Sequence, residues 1–204
     1  MRNAPRQARN LPPGYPRAYE TAIRLSDGRR VQVRPILPSD APELAEAIRT
    51  ADAETLHARF LGGPPPLTEA VLDGLTQLDY VNRFALVARS RGRGVAVARY
   101  VALPPTPDGP PTAEIAVAVR PEWRRVGLAT ALVQLLARRA LESGITEFSA
   151  VFLAGNRAVT KLAQEGHARV VIADGAAELE ARLTGPDASM PARSVAPSGG
   201  PGDD

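Results

Sequence analysis

An α+β fold, built on a mixed and mostly antiparallel central sheet flanked by helices, follows from three observations on this chain of 204 residues. From Ala113 to Gly144 a strand pattern, a basic turn and a long amphipathic helix follow one another directly. Asp27-Gly28 and the run from Arg91 to Gly94 are hairpin signals, each joining two apolar-patterned strands. Segments after Pro38 and after Leu67 carry apolar residues at helical spacing and supply further helices.

The central unit sets the chemistry. Between Ala113 and Val119, Ile115, Val117 and Val119 fall on one face of a strand, and Glu114, Ala116 and Ala118 fall on the other. Pro121 ends sheet pairing, and Leu128, Leu132, Leu135 and Leu136 recur at helical spacing until Ser143-Gly144. The helix therefore starts near Gly127. A helix opening on glycine offers unpaired backbone N–H groups and the positive end of its dipole, with no Cβ to block close approach. Arg124 and Arg125 add fork-shaped cationic donors suited to phosphate oxygens.

The run Arg124-Arg125-Val126-Gly127-Leu128-Ala129 resembles the Gln/Arg-x-x-Gly-x-Gly/Ala signature of the GNAT N-acetyltransferase superfamily, in its usual place between strand and helix. The resemblance spans roughly residues 31 to 183. It implies a three-layer α/β arrangement in which amides of Arg124, Arg125, Val126, Gly127, Leu128, Ala129 and Thr130 hold the pyrophosphate of acetyl-CoA. It also implies that the strand at Val117, Ala118 and Val119 pairs with pantetheine. The segment from Leu78 to Ala88 resembles bacterial Pat-type protein lysine acetyltransferase domains. That likeness places a catalytic glutamate at Glu114, in the pattern Ala-Glu followed by an apolar strand. The alternative for Glu114 is a carboxylate at the solvent edge of the strand, with its alanines merely seating a helix.

Composition bounds the rest. The length suits one domain with tails. No stretch approaches the ~20 apolar residues of a membrane span, and the basic start has no apolar segment after it, so the expectation is a cytoplasmic protein. The chain has no cysteine and two histidines, which argues against disulfides, thiol catalysis and a metal site. Its formal charge is only +3, with arginines spread among 22 acidic residues and aromatics at 4%, so neither nucleic acid nor a membrane is an expected partner.

In chain order, residues 1 to 18 are rich in proline and arginine and are expected to be a disordered arm. The domain is expected over 19–183 and a disordered tail over 184–204. Tyr19 to Leu25 and Arg30 to Arg34 form the first hairpin. Ser39 or Asp40 caps a first helix with Glu43 in its first turn. A helical segment from Ala53 to Leu61 follows. It contains His57, which is either a packed or surface histidine or a proton carrier on the acceptor side. Glu147 to Leu153 reads as a strand, and Gly155 to Gly166 as a helix. Asn156 caps that helix, and in the family an Asn in this place also contacts the CoA arm. Ala168 to Ile172 and Glu178 to Leu183 close the fold as strands.

An ammonium with an ordinary pKa of ~10.4 must lose a proton before it attacks a thioester. Glu114 is the candidate base, and strand amides from Val117 to Val119 are the candidate electrophilic groups. Many family members protonate the departing thiolate with a tyrosine seven residues after the Asn. Ala163 stands there, so the general acid is unassigned. The expected function is acyl-CoA-dependent N-acetyl transfer, with a protein lysine or a small amine as acceptor. The alternative is a CoA-sensing or protein-binding module on the same scaffold. The sequence sets neither the acyl chain nor the oligomeric state.

Overall fold

A computed structural model describes residues 11–51, 66–153, 169–173 and 176–183. Its eight strands are β1 (Thr21–Arg24), β2 (Arg30–Pro35), β3 (Arg83–Ser90), β4 (Arg93–Ala102), β5 (Thr112–Val119), β6 (Glu147–Leu153), β7 (Arg169–Ala173) and β8 (Ala176–Arg182). They form one sheet in the order β1-β2-β3-β4-β5-β6-β8-β7. Every neighbouring pair is antiparallel except β5 and β6, which run parallel. Parallel neighbours need a long crossover. The segment from Arg120 to Thr146 provides it.

Three helices are described: α1 (Ala41–Arg49), α2 (Glu69–Thr76) and α3 (Leu128–Glu142). The α3 residues Leu128, Leu132, Leu136 and Ala140, spaced one turn apart, are buried in the same core cluster as Phe84, Leu86, Ala98 and Tyr100. Each leucine so buried contributes roughly 1.5–3 kcal/mol. The helix ends as a Schellman motif: Ile145 N–H donates to Ala140 O at 2.9 Å, Gly144 N–H donates to Leu141 O at 3.0 Å, and Gly144 takes a φ of 79°. Helices α1 and α2 border a cavity over the other face of the sheet, where Ala85, Val87, Val97, Ala116 and Ala118 line it. None of the described helices is long and apolar enough to cross a membrane.

The chain departs from the sequence expectation at its start. Residues 11–18 were expected to be disordered, yet from Leu11 onward they lie against the body. Tyr15 meets Tyr80 edge to face at 5.6 Å, and a short 3-10 turn at Arg17–Tyr19 buries Tyr19 against Phe84. Two aromatic anchors outweigh the proline-rich composition, because each buries a large apolar area. The hairpin tip lies at Asp27-Gly28 and β1 starts at Thr21 rather than Tyr19. The helix expected from Leu67 to Leu78 is α2, capped by the Thr68 hydroxyl, which accepts from Val71 N–H at 3.3 Å. The strand expected after Leu78 starts only at Arg83, because Asp79 accepts from the N–H groups of Val81 and Arg83 and folds the chain into a turn.

Ser39 or Asp40 is expected as the cap of the first helix. Asp40 stands at the N-cap position of α1, but its side chain accepts from no N–H of that helix. Its carboxylate instead receives both guanidinium nitrogens of Arg34, at 2.6 and 2.7 Å, and the N–H of Leu37 at 2.8 Å. Burial pushes this carboxyl up, but the Arg34 bonds, the Leu37 amide and the nearby charge of Arg89 outweigh it and hold its pKa below the usual carboxylate range. The pair ties the end of β2 to α1.

A depressed carboxyl pKa contributes stability that is present above the unfolded value of ~3.9 and disappears as pH falls through the lower folded value. Asp40→Asn, which leaves Arg34 without its charged partner, is expected to cost about 3 kcal/mol at pH 7. In denaturant melts the gap between wild type and variant narrows below pH ~4; a gap independent of pH would assign the loss to packing.

Candidate active site

The site grows out of β5. Arg120 donates its N–H to Val95 O at 3.0 Å, and Leu103 donates its N–H to Thr112 O at 2.9 Å. Even-numbered β5 residues therefore turn their backbone groups toward β4. Backbone direction alternates along an antiparallel strand, so the N–H groups of Ile115, Val117 and Val119 face the opposite edge. On that edge β6 pairs only with Thr112, Ala113 and Glu114. Past Glu114 the edge of β5 has no strand partner among the described residues. A cleft opens there, with Val117 and Val119 amides along one wall.

Glu114 sits where the cleft begins, opposite Ser149 of β6 and Val101 of β4. Its side chain is exposed and shares a face with Ala116 and Ala118. Those two alanines help line the cavity of about 300 Å³ beneath α1 and α2. Ile115, Val117 and Val119 pack on the core side. Ala118 contributes its methyl group to the cavity, while its N–H is committed to β4. Among the described residues the strand thus turns the N–H groups of Val117 and Val119, but not that of Ala118, toward the unpaired edge.

Beyond Val119 the chain makes a 3-10 turn at Pro121–Trp123 and then the turn that opens α3. Arg125 and Gly127 take left-handed backbone conformations, with φ of 61° and 83°. Two left-handed residues so close together swing successive amides to one side, forming a nest for an anion. Among the described residues no partner receives the backbone N–H groups of Arg125, Val126, Gly127, Leu128, Ala129 or Thr130. A Cβ built on Gly127 meets nothing within 4 Å, so the space in front of that residue is open. Arg125 is exposed. Arg124 reaches back instead, and its Nε donates to Val119 O at 3.2 Å, pinning the turn to the end of β5.

The first hairpin braces this turn. Ser26 N–H donates to Val126 O at 3.2 Å, Arg29 donates to Glu122 O at 3.0 Å, and the Arg29 guanidinium stacks over Trp123 at 4.0 Å. These contacts join residues about ninety to a hundred apart in the chain and hold the turn in its left-handed form. No local pattern announces them.

In the cavity, Glu43 of α1 accepts from Gly94 N–H at 2.7 Å and pairs with Arg89 at 2.5 Å. The bond to Gly94 comes at a bulge, where Ala88 pairs with Ala96 and Arg89 with Gly94, leaving Val95 as the extra residue. The sequence suggested only a favourable first-turn charge for Glu43, because its partner amide is 51 residues away. Arg99, next to Ala116 across the strands, also lines this space. Asn156, His57 and Ala163 lie outside the described residues. Among the described residues no group of three or more His, Asp or Glu side chains is placed to hold a metal.

A nest of amides at a helix start, an open strand edge leading to it and a carboxylate at the head of that edge can hold a diphosphate with an extended, amide-bearing arm. Comparison with known proteins identifies the family. Residues 51–167 match the model of the acetyltransferase (GNAT) family. The chain is 32% identical to an acetyltransferase from Pseudomonas aeruginosa over 142 residues, 68% of this chain and 74% of that one. It is 28% identical to the acetyltransferase Pat of Mycolicibacterium smegmatis over 69% of its own length, and spans about two-fifths (41%) of that larger protein. The solved GNAT domain of S. lividans PAT superposes with a TM-score of 0.75 at 30% identity, covering 83% of this chain and 99% of that domain. With the family model covering more than half of its length, the chain belongs to the acetyltransferase (GNAT) family.

Proposed function

We propose that the protein moves an acetyl group from acetyl-CoA to the side-chain amine of a protein lysine, in the cytoplasm. The observation that carries this reading is the parting of β5 from β6 immediately after Glu114, which leaves an open edge running to the amide nest. The pyrophosphate binds at the nest, from Arg125 through Thr130. The pantetheine arm extends along β5 and exchanges hydrogen bonds with Val117 and Val119. This brings the thioester toward Glu114. Asn156 is assigned a contact with the arm from the resemblance alone.

Glu114, directly or through a water, takes the proton from the acceptor ammonium. The freed amine attacks the carbonyl carbon, whose oxygen is polarised by the strand amides, and the C–S bond breaks to release CoA thiolate. The small faces of Ala116 and Ala118 leave room for the two reacting groups to meet. The likeness to Pat relatives, together with the Ala113-Glu114 pattern, supports protein lysine over a small amine. With Ala163 in the tyrosine position, the thiolate leaves by way of water. The same alanine favours the second reading, a module that binds CoA without turnover.

Glu114→Gln is expected to lower acetyl transfer to a lysine peptide by ~10²–10⁴ while leaving acetyl-CoA affinity nearly unchanged. Wild-type rates would remove Glu114 as the base, and no thiol release by the wild-type protein with any amine would favour the binding module. Gly127→Asp places a side chain and a negative charge in front of the nest, and should weaken acetyl-CoA at least about tenfold in calorimetry. Unchanged affinity would move the phosphates elsewhere.

A further inference from the structure

A second cavity, of about 730 Å³, lies over the ends of β2, β3, β4 and β5, and six arginines line it against one carboxylate, Glu122. Three of the six are committed: Arg29 to Asp27 and Trp123, Arg89 to Glu43, and Arg120 to Gly94 O at 2.9 Å. The other three, Arg30, Arg91 and Arg93, are exposed and make no ion pair among the described residues.

The fold gives up stability to keep these charges together. Arg91 occupies the hairpin tip at φ 48°, a conformation that Asn or Gly adopts with less strain. Arg30 stands directly across from Arg24 in the β1–β2 pair, and like charges in that relation repel. An anionic partner would relieve both the repulsion and the unpaired charge.

The position of the cavity identifies the partner. It shares Arg89, Gly94, Val95 and Arg120 with the cavity beneath α1 and α2, into which Ala116 and Ala118 face. It therefore opens onto the acceptor-side cavity, while at its other end Arg29, Glu122 and Trp123 border the turn that leads to the amide nest. Of the three exposed guanidiniums, Arg91 and Arg93 stand on the β3–β4 hairpin and Arg30 on β2, around a space much larger than a single phosphate. That spacing fits several carboxylates distributed along a chain.

We propose that this cavity binds the acidic residues of the acceptor protein, so that the enzyme selects lysines with Asp or Glu a few residues away. This inference rests on the protein-lysine reading above. The open carboxylates of the acceptor segment pair with Arg30, Arg91 and Arg93 while its lysine enters the neighbouring cavity. Such rim charges govern encounter and selection and weaken with salt.

The test uses two lysine peptides of equal length, one flanked by Asp and Glu and one with Asn and Gln in their place. The partner variant is Arg91→Asn combined with Arg93→Gln, since Asn suits the left-handed tip. Fluorescence anisotropy with the protein saturated with CoA measures peptide binding independently of turnover. The wild type should bind the acidic peptide roughly tenfold more tightly at low salt, and the double variant should lose most of that preference. In acetyl transfer the same preference appears in KM, with kcat and the neutral-peptide rate preserved in the variant. A protein that binds the acidic peptide selectively but transfers nothing would overturn the lysine-transfer reading and leave the docking surface standing. Equal affinity for the two peptides, or a preference that survives the double variant, overturns the inference. So does displacement by inorganic pyrophosphate with no peptide selectivity, or a large loss of acetyl-CoA affinity in the variant, either of which gives the cavity to a small anion or to the donor.

Discussion

The structure depends on β5 being held on one side and released on the other. β5 is paired with β4 along the whole strand, from Ala113 opposite Ala102 to Val119 opposite Ala96. Its other edge is tied to β6 for only three residues. A strand edge left open inside a sheet exposes N–H and C=O groups that demand partners. An extended amide-bearing arm satisfies that demand, and the family to which this chain belongs binds acyl-CoA, which carries one. The cleft, the direction of the Val117 and Val119 amides and the place of Glu114 at its head all follow from that one divergence.

What keeps the cleft useful is the turn that follows it. Arg125 and Gly127 both take left-handed conformations, and a non-glycine residue there is strained. Three attachments from elsewhere stabilise it: α3 anchored by Leu128, Leu132 and Leu136, the bond from Arg124 to Val119 O, and the hairpin tip at Ser26 and Arg29. The strain is local, and part of the support comes from the distant first hairpin. A preformed amide nest costs little to reorganise when a ligand arrives, which is the main advantage of holding it in this way.

The elements that a local pattern announces were legible in the chain. The β5-turn-α3 unit, the Asp27-Gly28 hairpin, the tip at Arg91-Gly92 and the terminal stop at Gly144 all carry signals within a few residues. What was not legible depends on contacts between distant residues. Tyr15 looked like part of a disordered arm until Tyr80 gave it a partner. Asp40 does stand at the N-cap position of α1, but its buried carboxylate is held by Arg34 and by the Leu37 N–H rather than by an amide of that helix. Glu43 gains its place in the cavity from a bulge at Val95 that no composition signals. The arginines of the second cavity come from three hairpin or strand ends and looked like scattered surface charge.

Amide hydrogen exchange followed by NMR, with and without acetyl-CoA, addresses the divergence of β5 most directly. The account predicts that acetyl-CoA slows exchange at Val117 and Val119 and at the nest amides from Gly127 to Ala129, while Ala116 and Ala118, already bonded to β4, change little. Uniform protection along β5, or protection confined to residues outside β5 and the turn, would contradict it.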